Sequence, residues 1–161
     1  MNAKAILMAC AVTASLIVTS AASSQQSPRP SKTATQIEAL VNKAAALIDK
    51  NGKAAFAEFR KKDSEWFHDR TYLFSYDMNG NVLLNPAFPK REGTNVRGQK
   101  DAKGKLFHDA IIETAETKGS GWVGYMFPKP GQAEPSQKWT YVKRVTIDGV
   151  PGLVGAGFYP Q

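Results

Sequence analysis

The chain offers few side chains that could do acid–base chemistry near neutral pH. Its two histidines are His68 and His108, and neither has the spacing to a nucleophile, a second base or a metal ligand that marks a catalytic site. His68 directly precedes a predicted strand. His108 stands beside Asp109 on the polar side of a predicted helix, where a solvated histidine is expected. We therefore predict no catalytic residues and no enzymatic activity.

Cysteine, acidic residues and glycine motifs do not indicate a metal or a cofactor. The single cysteine, Cys10, excludes a disulfide framework, a cysteine-rich zinc site and a dithiol redox motif. Residues 77–80 begin like a calcium loop, but the later acidic ligands are missing and a hairpin turn explains them better. The glycines of residues 152–157 do not follow the order of a dinucleotide-binding motif and are more typical of close packing of a helix over a strand. No metal and no cofactor are predicted.

Residues 138–144 interleave cations with aromatic side chains and allow two interpretations. The whole chain has a formal net charge of +7, so the segment could be a nucleic-acid surface that combines phosphate contacts with stacking. The same segment places a cationic head near phenolic hydroxyls, which together can receive a small carboxylate through charge-assisted hydrogen bonds. The N-terminus of the chain bears on this choice.

Residues 1–22 predict export from the cytoplasm. Lys4 is followed by an uncharged, largely apolar run over 5–22, and the small residues Ser20 and Ala22 fit peptidase cleavage after Ala22. We interpret this segment as a cleaved signal peptide of a periplasmic or secreted protein. The alternative is an uncleaved helix that anchors the protein in the membrane.

The mature chain divides into a tether and one domain. Residues 23–32 lack large apolar side chains and are interpreted as a flexible tether, and residues 33–161 are interpreted as a single domain. Because an exported protein seldom meets nucleic acid, the carboxylate interpretation of residues 138–144 is favoured and no nucleic-acid partner is predicted.

Apolar periodicity and turn signals predict an α+β domain. Apolar residues at three- and four-residue steps over 37–48 predict a long first helix, and strict alternation over 71–77 predicts a strand. The further predicted elements are a short helix near 55–59, a strand at 82–84, a helix at 104–118, and strands at 122–127, 138–147 and 153–159. This order predicts a five-stranded antiparallel sheet with the long N-terminal helix and a further helix packed on it, the plan of PAS-like domains.

A series of short motifs runs in a characteristic order through residues 35–160. The motifs are Tyr76-Asp77 with Gly80, Leu84-Asn85-Pro86, Gly93-Thr94-Asn95, Asp101 with Gly104, Gly119-Ser120-Gly121-Trp122-Val123-Gly124-Tyr125, Lys138 with Tyr141-Val142, and Val154-Gly155-Ala156-Gly157-Phe158-Tyr159. In this order they resemble the single Cache domain family, type 2, the extracytoplasmic sensor domain of bacterial chemoreceptors and sensor kinases. The chain departs from that family at Asn85, where a histidine often precedes the proline.

The resemblance implies that a small organic acid or amino acid binds between the sheet and the loops over it, without chemistry. A carboxylate that leaves water must regain hydrogen bonds from a cation and from hydroxyl groups. The residues that we expect to contact this ligand are Lys138, Tyr125 and Tyr141, which match family positions, then Tyr72 and Tyr76, with Trp122 as a wall. Lys138 and Tyr141 are three residues apart, so a regular strand sends them to opposite faces unless a bulge intervenes.

The predicted function is that of a periplasmic sensor module for a small anionic metabolite. We expect it to act in chemotaxis or signal transduction through a separate membrane receptor or sensor kinase. The first helix could pair with a second copy in a homodimer, although its apolar stripe is equally explained by packing on the sheet. Two alternatives stay open: an interaction module with this fold that has lost its ligand, and a sensor tethered by an uncleaved N-terminal helix.

Overall fold

The computed structural model describes residues 27–160, so the predicted signal peptide lies outside the described residues. After residues 27–31, helix α1 spans Lys32–Asn51. The Oγ of Ser31 caps it by accepting a hydrogen bond from the backbone N of Ala34 at 3.1 Å. Within the described residues, no helix is long and apolar enough to cross a bilayer.

The described chain continues through two further α-helices and an antiparallel sheet. The helices are α2, Phe56–Phe59, which follows a 3-10 turn over Gly52–Ala55, and α3, Phe107–Lys118. The strands are β1, Phe67–His68; β2, Thr71–Asp77; β3, Val82–Leu84; β4, Ser120–Pro128; β5, Pro135–Ile147; and β6, Val150–Phe158. The α+β architecture predicted from the sequence is confirmed.

The last strand of the chain lies at the centre of the sheet. Strand β6 pairs with β2 on one side and with β5 on the other, and β4 completes the sheet beside β5. Strands β1 and β3 both pair with β2. The sheet therefore has six strands where the sequence predicts five. The additional strand, β1, has two residues, which is too short to show a period.

The alternation of side chains along the strands gives the sheet two apolar faces. On the face that packs against α1, the buried residues include Ile37, Val41, Ala44 and Ile48 of the helix with Leu73, Val145, Ile147, Val154 and Ala156 of the sheet. On the face that packs against α3, they include Phe107, Ile111, Ile112 and Ala115 with Phe74, Tyr76, Val123, Tyr125, Phe127, Val142 and Leu153. We call these the α1 face and the α3 face. Burial of both stabilises a three-layer arrangement.

Two glycines of β6 keep the α3 face open for side chains of the neighbouring strands. A Cβ at Gly155 would lie 2.6 Å from the ring of Phe74, and one at Gly157 would lie 2.5 Å from Thr140 Oγ1. The prediction that these glycines mark close packing of a helix is wrong, because the groups nearest to them come from β2 and β5.

Candidate ligand-binding site

Lys138 is a buried lysine on the α3 face of the sheet. It lies in β5 directly opposite Tyr125 of β4 and is 1% exposed. Its Nζ donates a hydrogen bond to Tyr72 Oη at 2.8 Å and lies 4.3 Å from the centre of the Tyr72 ring. The ring centres of Phe127 and Tyr159 are each 5.3 Å from Nζ. We call these three rings, of Tyr72, Phe127 and Tyr159, the aromatic box.

No carboxylate pairs with Lys138 within the described residues, where the ion pairs involve other side chains. Burial disfavours the charged amine and lowers the pKa of Lys138 from 10.5 to about 7. The aromatic box favours the ammonium form through cation–π attraction. Lys138 can therefore take up or release a proton near neutral pH.

The tyrosines of the α3 face are neutral hydrogen-bonding groups. Burial raises the pKa of Tyr72, Tyr76 and Tyr125 above the ordinary value for a phenol. Tyr125 Oη lies 2.9 Å from Thr140 Oγ1, the next β5 residue on the α3 face. Each phenol keeps its proton at neutral pH and can donate it to an acceptor.

A loop segment of residues 85–92 lies over the aromatic box, and we call it the lid. The ring centre of Phe88 is 5.9 Å from that of Tyr72 and 5.4 Å from that of Phe127. The guanidinium carbon of Arg91 is 5.7 Å from the centre of the Phe127 ring. The lid therefore brings a second cation to the same ring that Lys138 contacts.

Hydrogen bonds hold both ends of the lid. Asn85 is buried, and its Oδ1 accepts a hydrogen bond from Phe88 N at 3.1 Å. Glu92 Oε1 accepts one from Asn85 N at 2.7 Å, and the Glu92 carboxylate forms a bidentate ion pair with Arg60 at 2.7 and 2.9 Å. The hydrogen bond from Arg60 is the main cause of a lowered pKa at Glu92. The lid is thus attached to the segment that follows α2.

The buried His108 pairs with the half-buried Arg91, and the pair leaves two donors without partners among the described residues. Arg91 Nη2 lies 2.9 Å from His108 Nε2. A guanidinium can only donate, so Nε2 must accept and the neutral ring carries its proton on Nδ1. Burial and the charge of Arg91 lower the pKa of His108 from 6.5 to about 3, which keeps the ring neutral.

The two donors are buried nitrogens. His108 Nδ1 and Arg91 Nε have no hydrogen-bond partner among the described residues. Each of these nitrogens can therefore donate a hydrogen bond to an acceptor that enters the site.

The structure brings four of the six predicted contact residues together and separates two. Lys138, Tyr125, Tyr72 and Tyr76 have their side chains on the α3 face. Tyr141 and Trp122 lie on the α1 face, with ring centres 5.3 Å apart.

The contacts of these two residues are made on that α1 face. Trp122 Nε1 donates to Glu38 of α1 at 2.7 Å, and Tyr141 Oη donates to Ser120 Oγ at 3.1 Å. The register of β4 and β5 is continuous from Ser120 to Pro128, so no bulge there moves Tyr141 to the face of Lys138.

Several residues of the site are not predicted from the sequence. Phe127 and Thr140 follow Tyr125 and Lys138 by two positions, so strand alternation could have found them. The prediction that His108 is solvated is wrong, because it is 2% exposed and faces the sheet from the first turn of α3. Within residues 27–160, no cluster of three or more His, Cys, Asp or Glu side chains is arranged to hold a metal ion.

Comparison with known proteins identifies sensor domains. A family model described as Cache domain matches residues 28–159. The chain is 28% identical over 92 residues to the methyl-accepting chemotaxis protein McpP of Pseudomonas putida, and 32% identical over 88 residues to the sensor histidine kinase MctS of Rhizobium johnstonii. These alignments cover 57% and 55% of this chain but 16% and 18% of the two relatives.

Solved structures share the fold. A periplasmic sensor domain of a chemotaxis protein is 26% identical with a TM-score of 0.62, covering 77% of this chain and 88% of that one. A structure described as the basis for carboxylic acid recognition by a Cache chemosensory domain has a TM-score of 0.68 at 23% identity, covering 80% and 94%. A methyl-accepting chemotaxis protein of Vibrio parahaemolyticus has a TM-score of 0.65 at 21% identity, covering 79% and 88%.

Proposed function

The chain belongs to the Cache domain family, and we propose that it is a non-catalytic sensor module that binds a small carboxylate beside Lys138. The observation that carries this proposal is a buried lysine beside a second, half-buried cation, with no counter-ion among the described residues. Lys138 and Arg91 contact the same ring, and within the described residues neither forms an ion pair with a carboxylate.

The donors in the site match what a carboxylate needs. A carboxylate has two oxygens that only accept hydrogen bonds, and it loses strong hydration when it enters a closed site. Lys138 Nζ and Tyr72 Oη are potential donors on the sheet, and Arg91 Nε and His108 Nδ1 are donors that lack partners. One bound carboxylate could satisfy the two unpaired donors and offset the buried charge.

The closed state of the site limits the ligand to a small molecule. Lys138 is almost fully enclosed, so the lid or the edge of the aromatic box must open before a ligand enters. We propose acids with a short carbon chain, or amino acids, since a larger group would have to displace Phe88 as well.

A role in signalling is proposed from the relatives. They are named as a chemotaxis receptor and a sensor histidine kinase. We propose that this chain acts in the periplasm, after removal of residues 1–22, and reports ligand binding to a separate membrane receptor or kinase. The mass of the protein isolated from the periplasm tests the cleavage, because a retained anchor keeps all 161 residues.

One observation favours a second candidate, an interaction module that has lost its ligand. Phe88 packs edge-on against both Tyr72 and Phe127, so the protein's own side chains line the space around Lys138 closely. This candidate leaves the unpaired nitrogens of Arg91 and His108 unexplained, and we therefore prefer the sensor.

A thermal-shift experiment tests the proposed function. The protein purified after export is heated with a panel of short carboxylates and amino acids, since a ligand at a hundred times its Kd adds about 2.7 kcal/mol of stability. We expect a selective rise in Tm that Lys138→Met abolishes. Lys143→Met is the matched control, because Lys143 lies in the same strand and its Nζ donates to Asn42 of α1. No rise with any compound would contradict carboxylate binding and support the interaction module.

A further inference from the structure

Lys138 differs chemically from the other lysines of the described chain. Those are exposed or half-buried, whereas Lys138 is 1% exposed, has no carboxylate partner and lies 2.8 Å from the Tyr72 phenol. An amine in such surroundings is held partly in its neutral form, and a neutral amine is a nucleophile. The geometry therefore places a reactive amine where the proposed function needs only a positive charge.

We propose that Lys138 captures 2-oxo acids as a reversible imine. The inference rests on the proposed function, because the same site must first hold the carboxylate of the ligand. It adds a covalent step and narrows the ligand class.

The class of ligand follows from the two kinds of group that meet in the site. The unpaired donors Arg91 Nε and His108 Nδ1 are suited to a carboxylate, and the Lys138 amine is suited to a carbonyl carbon. Arg91 and Lys138 both contact the ring of Phe127. A ligand that meets both kinds of group carries a carboxylate and a carbonyl, and a carbonyl adjacent to a carboxylate defines a 2-oxo acid.

Formation of the imine requires neither an oxidant nor a reductant. The Nζ lone pair attacks the C2 carbonyl carbon to form a C–N bond, and the electron pair of the C=O bond moves to oxygen, which takes a proton from Tyr72 Oη. Nζ then returns a proton to the Tyr72 phenolate, which leaves a neutral carbinolamine. Tyr72 then protonates the hydroxyl of the carbinolamine, and water leaves as the C=N bond forms. The nitrogen gives its remaining proton to the Tyr72 phenolate, which leaves the neutral imine. The products are one imine and one water.

The surroundings of Lys138 suit this step. Tyr72 is within hydrogen-bond distance of Nζ, which a proton-transfer group must be. Phe88 and the rings of the aromatic box exclude bulk water, which slows hydrolysis of the imine once the lid has closed. A ligand held in this way would leave slowly and report its concentration over a long time.

Reductive trapping tests the proposal. The exported protein is incubated with pyruvate and sodium cyanoborohydride, digested, and analysed by peptide mass spectrometry. L-lactate is the matched ligand control, because it has the same carboxylate and chain length but a hydroxyl in place of the carbonyl. We expect a reduced adduct on the peptide that carries Lys138 with pyruvate and none with lactate.

Variants of the site sharpen this test. Lys138→Arg keeps the charge but removes the amine, so it should lose the adduct. Tyr72→Phe should slow adduct formation by roughly 100-fold because it removes the proton-transfer group. Lys143→Met should form the adduct as the parent protein does. Equal labelling of surface lysines and Lys138 would overturn the proposal.

Thermal shifts measured in parallel separate failure of the imine from failure of the proposed function. If pyruvate and lactate both raise Tm through Lys138 and no adduct forms, the imine is overturned and carboxylate binding stands. If neither compound, nor any other carboxylate, raises Tm and no adduct forms, both are overturned. An adduct at Lys138 that Lys138→Arg abolishes supports both.

Discussion

The side chain of Lys138 passes over Gly157. A Cβ at Gly157 would lie 2.9 Å from Lys138 Cε and 2.5 Å from the backbone O of Trp139. Strand β6 separates β5 from β2, so the amine can reach Tyr72 of β2 only across β6. The absent side chain at Gly157 provides that path.

We expect Gly157→Ala to lose carboxylate binding. The added methyl group must displace Lys138 or the β5 backbone, and such overpacking typically lowers the free energy of unfolding by about 1–3 kcal/mol. Chemical denaturation and ligand-dependent Tm shifts measure the two effects. Gly124→Ala is the control, because its Cβ would lie 2.8 Å from the Trp139 ring instead of the site. Gly124→Ala should destabilise the protein and keep the ligand-dependent Tm shift. If Gly124→Ala loses that shift and Gly157→Ala keeps it, this role of Gly157 is contradicted.

For the site residues that lie on strands, alternation along the strand predicts the face of the sheet to which each side chain points. The period of two along β2 correctly places Tyr72 and Tyr76 on one face, and the same rule separates Lys138 from Tyr141. Applied to β4, it also separates Trp122 from Tyr125, which are three residues apart. The face on which a residue of a regular strand lies can therefore be predicted from the sequence, because side chains alternate between the two faces along the strand.

The positions of the other site residues do not follow from a strand period. Arg91 and Phe88 lie in a loop whose path is set by the hydrogen bonds of Asn85 and Glu92. An apolar stripe that starts at Leu106 places His108 on the polar side of the predicted helix. The helix begins after Leu106, which is exposed, so the buried stripe is shifted by one residue and includes His108.

Lys138 should make stability rise with pH above neutrality. Its pKa is about 7 in the folded protein against an ordinary 10.5, so between these values the unfolded chain binds more protons. Stability should therefore increase from pH 7 to pH 9, with a slope of up to about 1.4 kcal/mol per pH unit. Above this range the buried tyrosines act in the opposite direction, because their raised pKa values favour the protonated, folded form.

Urea denaturation of Lys138→Met over the same range checks this slope. Methionine has a similar length and does not titrate, so the variant should lose the rise, and its advantage over the parent protein should be largest at pH 7 and below. Lys143→Met should keep the slope. If the free energy of unfolding changes with pH in the same way for the parent protein and for Lys138→Met, the pKa of Lys138 is not lowered.

His108 should cause a loss of stability in acid. Burial holds its pKa near 3, against an ordinary 6.5, so between pH 6.5 and pH 3 the unfolded chain takes up a proton that the folded chain excludes. Stability falls as the pH is lowered through this window. Asp101 and Asp109 also have lowered pKa values and add to the acid loss, so the informative quantity is the difference between the parent protein and a variant.

His108→Gln provides that difference. The Gln oxygen can accept the hydrogen bond that Arg91 now donates to Nε2, and the side chain does not titrate. We expect the variant to lose less stability than the parent protein between pH 6.5 and pH 4, by up to about 1.4 kcal/mol per pH unit. His68→Gln, at an exposed histidine, is the control. An unchanged acid profile in His108→Gln would mean that His108 is not held neutral.

The ion pair between Arg60 and Glu92 should control ligand affinity through the lid. Both side chains are partly exposed, so the pair itself contributes at most about 1 kcal/mol to stability. Its position matters more, because Glu92 is adjacent to Arg91 and also accepts the hydrogen bond from Asn85 N. Glu92→Gln weakens the attachment of the lid at one end, and we expect it to reduce carboxylate affinity by about tenfold with little change in Tm.

The exchange variant, Arg60→Glu with Glu92→Arg, separates a positioning role from a general loss of structure. It restores the ion pair with reversed polarity, but an arginine at position 92 cannot accept the hydrogen bond from Asn85 N, so we expect it to recover part of the affinity that Arg60→Glu alone removes. Lys61→Gln breaks a neighbouring surface pair, Lys61 with Glu58 at 2.7 Å, and should leave affinity unchanged. Calorimetric titration with the ligand found by thermal shift measures the affinity of the parent protein and of each variant. If the exchange variant binds no better than Arg60→Glu, the ion pair does not position the lid, and the contacts of Arg91 with Gln99, His108 and the Phe127 ring hold it instead.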